Sequence, residues 1–299
     1  MGCIKRLFLY EYGGRCFLVI VKIKGGFGNQ LFTYASAYAI SQELQQNLIM
    51  DKVIYDLDYF RKFELPSLSL KYDQMLISKF VPNTKVKTLI YKVLRRLKLK
   101  GFTEVHEKKE FSFDENIYNL SGDIYLDGYW QNYRYFHKYY KDLSEMFVPR
   151  ETPRKEVTDY ITSLRGVNSV AMHVRRGDYK TFNGGKCLSL DYYIKAMEYF
   201  NSNDVQFYVF TDDIDFCEKN LPNSENINYV SRSEKLTDIE EFFIMKECKN
   251  FIIANSSFSW WAAYLSEQKA DSLIVAPVVD MWKRDFYPDE WVALNTHLE

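Results

Sequence analysis

The chain has 299 residues, a formal net charge of −1 from 39 Lys and Arg against 40 Asp and Glu, and 47% hydrophobic residues. That length suits two domains with real cores, and the even charge balance gives no global reason to expect nucleic-acid binding, so any anion site must be a local construction. The five cysteines, Cys3, Cys16, Cys187, Cys217 and Cys248, are odd in number and scattered, without a Cys-x-x-Cys or Cys/His cluster; no zinc site or disulfide framework is indicated, which suits a reducing cytosol.

Met1–Gly14 is too charged and broken for a signal peptide and reads as a loose extension or an early start codon, residues 1–15 in all. No apolar run approaches the length of a membrane span. "CFLVIVKI" (16–23) predicts a strand, "GGFGN" (25–29) a glycine turn, "QLFTYASAYAISQEL" (30–44) a helix and "NLIMD" (47–51) a second strand. Lys52–Phe113 gives few clear elements. Within it, Lys85–Lys100 holds Lys85, Lys87, Lys92, Arg95, Arg96, Lys98 and Lys100 and no acid, with Leu89, Ile90, Val93, Leu94 and Leu97 at helical spacing. Such a basic amphipathic helix suits either an anionic membrane surface or a solvated face over the domain. The expected localisation is cytoplasmic, peripheral at the inner membrane face.

"DIYLDGYW" (123–130) predicts a strand and "YRYFHKYYKDLSEMF" (133–147) a helix. "VPRETPRKE" (148–156), with its prolines and mixed charge, sets the domain boundary, dividing 1–150 from 151–299. A helix near 155–164 follows, then a strand at 168–174, a helix capped by Ser189 to about Asn201, and strands at 205–213 and 226–230. Thr237-Asp-Ile-Glu240 is a capping box for a helix to about Lys249; strand 250–257, helix 258–267 and strand 272–277 close the pattern. The final segment is a candidate to return to the first domain. Repeated β-α-β units with continuous apolar strands predict an α/β fold with parallel, doubly wound sheets. The 24 Tyr, 22 Phe and 5 Trp are mostly core by this reading, with a weak hint of sugar contact.

The suspicious motifs fall at carboxyl ends of predicted strands, where such folds bind ligands. His173-Val-Arg175-Arg176-Gly-Asp178 ends a core strand in charge. Alternation puts His173 and Arg175 on one face and Arg176 on the other. A guanidinium fork suits a phosphate, and the alternative is that Arg175 or Arg176 pairs with Asp212 or Asp213. In "ANSSFSWW" (254–261), Ser256, Ser257 and Ser259 sit where a strand turns into a helix, an anion site or plain N-capping, with Trp260 and Trp261 core. Gly26-x-Gly28 is an incomplete dinucleotide fingerprint, with Leu31 where the third glycine belongs and Asp51 at the distance for a ribose. Asp213-Ile-Asp215 is an Asp-x-Asp pair of the kind that holds a divalent metal in many sugar-nucleotide transferases.

Taken together, "GGFGNQLFTYA" (25–35), "GYWQNYRYF" (128–136), "HVRRGDY" (173–179), "FYVFTDD" (207–213), "NSSFSWWAAYL" (255–265) and "PVVDMWKRDFYPDEW" (277–291) resemble glycosyltransferase family eleven, the α-1,2-fucosyltransferases, over about Ile20–Trp291. The departures are the N-terminal extension and Phe27, where Leu or Met is more usual. The resemblance implies a GT-B fold, two Rossmann-like domains facing across a cleft, with the donor in the C-terminal one. It implies inverting transfer from GDP-β-L-fucose to the 2-hydroxyl of a terminal galactoside, with no cofactor and no required metal. By the motif match Arg175 grips the β-phosphate and His173 steadies it or contacts the nucleotide. Arg176 supports the site, and Asn255, Ser256, Ser257 and Phe258 complete the phosphate cradle. Asp212 or Asp213 reads guanine or ribose, and Gly26, Gly28 and Asn29 face the donor and admit the acceptor. Asp178 is the candidate base, with capping of the turn after Gly177 as its alternative role. The rival readings are a metal-dependent transferase using Asp213 and Asp215, a nucleotide-dependent oxidoreductase using Asp51, and a non-catalytic glycan-binding module.

Overall fold

A computed structural model describes residues 17–57, 59–70, 73–74, 102–182, 184–232, 236–266 and 272–299. The N-terminal extension and the basic stretch with Lys85, Lys92, Arg95, Arg96 and Lys98 lie outside the described residues. The chain divides into two compact units, Met1–Arg150 and Glu151–Glu299.

In the first unit, strand β1 (Leu18–Lys22) is buried for four of its five residues, as its unbroken apolar run requires of a central strand. It pairs in parallel with β2 (Asn47–Asp51) on one side and β5 (Ile124–Asp127) on the other. With β3 (Asp73–Gln74) and β4 (Thr103–His106) the sheet order is β3-β2-β1-β5-β4. Helix α1 (Phe27–Glu43) starts three residues earlier than its spacing suggested, so Gly28 and Asn29 belong to its first turn rather than to the loop. The turn itself is Gly25, with φ +85°, and Gly26, the extended residue that caps the helix. At the β1–β5 border the chain leaves β1 in one direction and reaches β5 in the other, which makes this turn the switch point of the sheet.

The expected helix over 133–147 is instead two 3-10 turns, Tyr133–Tyr135 and His137–Tyr139, followed by α2 (Tyr140–Met146). The Asn132 side chain accepts the Arg134 N–H, fixing a tight turn, and Phe136 leaves helical geometry at φ −123°, ψ −2°. Its aromatic spacing comes from packing, with Tyr135 and Phe136 both buried.

The second unit opens with α3 (Lys155–Ser163). Its sheet runs β11-β10-β9-β6-β7-β8 and every pairing is parallel. The strands are β6 (Asn168–Val174), β7 (Val205–Thr211), β8 (Ile227–Tyr229), β9 (Asn250–Ile252), β10 (Ile274–Val278) and β11 (Val292–Asn295). Between them lie α4 (Tyr179–Phe182), α5 (Leu190–Met197), α6 (Ile214–Asn220), α7 (Asp238–Lys246) and α8 (Ser257–Ser266). Here β6 is the switch point, with β7 on one side and β9 on the other.

Several expected boundaries move. Strand β9 ends at Ile252, so Ala254–Ser256 form a loop. Strand β7 ends at Thr211, placing Asp212 and Asp213 beyond it. Ser189 precedes α5 without capping it, because its hydroxyl pairs with Thr296 at 3.2 Å. The final segment is part of the second unit: β11 pairs with β10, and Cys187 and Glu299 exchange backbone hydrogen bonds of 2.8 Å. The Thr237 capping box forms as expected. Trp260 and Trp261 are core, Trp260 stacking on Tyr264 at 4.7 Å between centroids, with Trp291 at 5.5 Å. Among the described residues no helix is long and apolar enough to cross a membrane.

Candidate active site

Strand β6 is buried from Ser169 to Val174 and emerges at Arg175. A guanidinium cannot remain in the dry middle of a covered sheet, so charge first becomes tolerable where the strand ends. Arg175 there holds two carboxylates, Asp178 at 2.8 Å through one terminal nitrogen and Asp212 at 2.9 Å through the other. Arg176 turns the opposite way. Its Nε meets Asp213 at 3.1 Å and its guanidinium stacks over the Phe216 ring at 3.5 Å. The backbone N–H of Arg176 also donates to Asp212 at 2.8 Å. Burial pulls the Asp213 carboxyl up, but hydrogen bonds from Lys180 and Arg176 outweigh it and hold it below its ordinary range.

Gly177 is needed where it stands. A Cβ there would lie 2.7 Å from the Asp212 carboxylate, so glycine leaves room for that carboxylate beside the arginine loop. Tyr179 donates its hydroxyl to the Asn255 carbonyl at 2.8 Å, tying the arginine loop to the loop after β9.

His173, 6% exposed, lies against Phe258 at 5.6 Å between ring centroids. Burial, aided by the Arg175 charge, pushes the imidazole down to about 3, so it is neutral at physiological pH. Its Nδ1 has no protein partner, and neither does the side-chain oxygen of Asn255, 5% exposed. Buried polar groups are ordinarily satisfied, so two such atoms at the ends of neighbouring strands suit a place where a ligand supplies the missing bonds. Ser256 accepts the Phe258 N–H at 3.4 Å and so caps α8, as the plainer alternative anticipated. Ser259 is fully buried and donates to the Ser256 carbonyl at 3.4 Å.

The second unit thus brings together His173, Arg175, Arg176, Asp178, Asp212 and Asp213 around the ends of β6 and β7, with Asn255, Ser256, Ser257 and Phe258 following β9. Gly26, Gly28 and Asn29 form a separate group in the first unit. There Gly26 has open space above it, with nothing within 4 Å of an added Cβ. Gly28 is buried within the first turn of α1. The Asn29 side-chain oxygen accepts from Gln131 at 2.9 Å. Sequence reasoning missed Gln30, which donates to Gly25 at 3.1 Å and Lys62 at 2.7 Å and accepts the Glu64 N–H at 2.9 Å, pinning the turn. A glutamine among the apolar positions of a helix was the available signal. Lys180, at 2.5 Å from Asp213, was also missed, although it directly follows the motif.

The rival readings fare poorly on geometry. Asp213 already holds Arg176 and Lys180 on one carboxylate oxygen, so a divalent ion between Asp213 and Asp215 would sit beside two fixed cations. Asp51 is 2% exposed and committed to Tyr125 at 2.7 Å and the Val53 N–H at 3.1 Å, leaving nothing for a ribose.

The two parallel Rossmann-like sheets, the second with an arginine clamp at its switch point, belong to an α/β fold of the GT-B class of glycosyltransferases. Residues 18–295 match the family described as Glycosyl transferase family 11, and the chain belongs to it. It is similar to an alpha-1,2-colitosyltransferase of Escherichia coli, 30% identical over 302 residues, spanning 93% of this chain and 99% of the relative. A galactoside 2-alpha-L-fucosyltransferase of Caenorhabditis elegans is 25% identical over 314 residues, 92% of this chain and 75% of that one. Among solved structures, the fucosyltransferase NodZ from Bradyrhizobium shares the fold with a TM-score of 0.51 at 15% identity, covering 84% of this chain and 93% of that one. NodZ soaked with GDP-fucose aligns over the same shares at 0.50 and 14%.

Proposed function

We propose that this glycosyltransferase moves L-fucose from GDP-β-L-fucose to the 2-hydroxyl of a terminal galactoside, with inversion, forming an α-1,2 linkage. The observation that carries this reading is the Arg175 guanidinium at the switch point of the second sheet, flanked by His173 and the N-terminus of α8. Breaking the sugar–phosphate bond places negative charge on the departing diphosphate, and catalysis must stabilise that charge more in the transition state than before it. Arg175 supplies a fixed cation, and the amides opening α8, with Ser256 and Ser257, supply oriented donors. Arg176, stacked on Phe216 and paired with Asp213, holds the loop in place.

When the diphosphate takes the Arg175 guanidinium, Asp178 and Asp212 exchange their partner. Asp178 is then the group assigned to accept the proton of the attacking hydroxyl, and Asp212 or Asp213 to contact the nucleoside. Gly26 and Asn29 serve acceptor binding in the first unit, and Gly26 is the more open of the two. The basic stretch Lys85–Lys100 is proposed to contact an anionic membrane surface, and salt-insensitive sedimentation with anionic vesicles would retire that idea.

The 30% identity to a colitosyltransferase favours a second reading of the donor alone. Colitose is fucose without the 3-hydroxyl, so the same clamp would serve either sugar. Incubation with GDP-fucose or GDP-colitose and a panel of galactosides, with linkage analysis of the product, tests both. An α-1,2-fucosyl product is expected; a colitosyl product alone selects the second donor, and no product from either rejects the assignment.

A further inference from the structure

Strand β8 pairs with β7 only as far as Tyr229, opposite Val209. Two residues on, the Thr211 N–H has lost its backbone acceptor. The Ser231 hydroxyl oxygen takes its place at 2.9 Å, and the same hydroxyl donates its proton to the Glu241 carboxylate of α7 at 3.0 Å. Ser231 therefore has both its roles filled, one by the end of β7 and one by α7.

Beyond Thr211 the chain of bonds continues. The Thr211 hydroxyl accepts the Asp213 N–H at 3.0 Å, and Asp212 and Asp213 hold Arg175 and Arg176. Helix α7 reaches the site by a second route: Phe242 lies 5.4 Å from Phe258, which lies 5.6 Å from His173.

We propose that Glu241 is a positioning residue for the donor clamp. Acting through Ser231 and the Thr211 amide, it sets the loop carrying Asp212 and Asp213, and through them the direction of Arg175 and Arg176. The proposal rests on the reading of the β6 and β7 ends as the GDP site. Burial pushes the Glu241 carboxyl up to about 7, the Ser231 bond opposes this, and the charges of Asp238 and Asp212 add to it. A carboxylate kept at that cost, bonded to the serine that holds the end of β7, fits a role in the site better than a role in stability.

The test combines amide exchange at Thr211 in the unliganded protein with calorimetric GDP binding, in wild type, Ser231→Ala, Glu241→Ala, Glu241→Gln and the Ser231→Ala/Glu241→Ala double variant. Ser231→Ala should speed Thr211 exchange. Glu241→Ala should weaken GDP binding about tenfold, Glu241→Gln, which keeps an acceptor for Ser231, should recover most of that loss, and the double variant should be no worse than the poorer single one. Glu241→Ala that binds GDP like wild type and merely melts earlier overturns the proposal, as do losses that multiply in the double variant or unchanged Thr211 exchange in Ser231→Ala. If wild type binds no GDP while Ser231→Ala still exposes Thr211, the donor reading fails, and the positioning role with it, although the relay itself stands.

Discussion

Arg175 and Asp212 meet at 2.9 Å across the ends of two adjacent parallel strands, and the same carboxylate accepts the Arg176 N–H at 2.8 Å. One aspartate thereby fixes both the side chain and the backbone of the arginine pair. Arg175→Ala should lower turnover by at least ~10²-fold, the scale of losing one oriented electrostatic donor. Arg175→Lys should recover little, because a point charge cannot replace a fork that spans two acceptors. Steady-state rates with the donor varied check this, and near-normal turnover in the alanine variant would remove Arg175 from the chemistry.

Gly177→Ala tests how tightly the clamp is built. The added methyl would sit 2.7 Å from the Asp212 carboxylate, which must then shift against Arg175. We expect a destabilisation of about 1–3 kcal/mol and a weakened donor affinity. Thermal melting and GDP titration measure the two effects separately; an unchanged affinity would show that Asp212 can move without disturbing the site.

The Arg154–Glu240 pair gives a test in acid. Arg154 reaches both Glu240 oxygens, at 2.6 and 2.8 Å, and Glu240 also closes the capping box of α7. The Arg154 hydrogen bond, opposed by desolvation and aided by the Thr237 contacts, holds the Glu240 carboxyl down at about 2. A depressed carboxyl contributes stability above its unfolded value, lost as the pH falls from about 4.5 through about 2. Glu240→Gln should be less stable than wild type near neutrality, by about 1–2 kcal/mol, and the gap should close over that acid window. A gap independent of pH would reject the ion pair as its source.

Glu241 has the opposite sign. Its folded value lies above the ordinary one, so stability is present below about 4.5 and is lost as the pH rises through about 7. Ser231 faces the carboxyl from the turn after β8, Asp212 from the end of β7 and Asp238 from its own helix, while Tyr160 of α3, raised by burial, stays neutral throughout. Glu241→Gln should therefore gain on wild type between about pH 5 and 8, by on the order of 2 kcal/mol. Chemical denaturation across that range checks it, and a constant difference would place the carboxyl in a more watery setting.

Much of this was legible in the sequence because the governing forces are local. The apolar run of β1 followed by Gly25 and Gly26, and β6 ending in two arginines, announce themselves through burial and charge along a few neighbouring residues. The capping box at Thr237 is equally local. What the sequence concealed depends on partners far along the chain. Residues 133–147 show helical spacing, yet Asn132 and Phe136 break the helix for the sake of packing. Ser189 has the form of a cap, but Thr296 claims its hydroxyl across 107 positions. Glu241 follows another glutamate in an unremarkable first helical turn, and only the fold shows that one of the pair faces solvent-side Arg154 while the other meets Ser231.

The Arg175 clamp also bears on what this enzyme ignores. Its guanidinium is held by carboxylates tethered to the same fold, present at a high effective concentration wherever the protein is. A free chloride or phosphate ion must displace them with a single weak contact, whereas a nucleoside diphosphate brings several contacts at once. On the proposed reading of this site, small anions would leave the arginine paired to its own carboxylates, and a nucleoside diphosphate that also engages the loops around it would take their place.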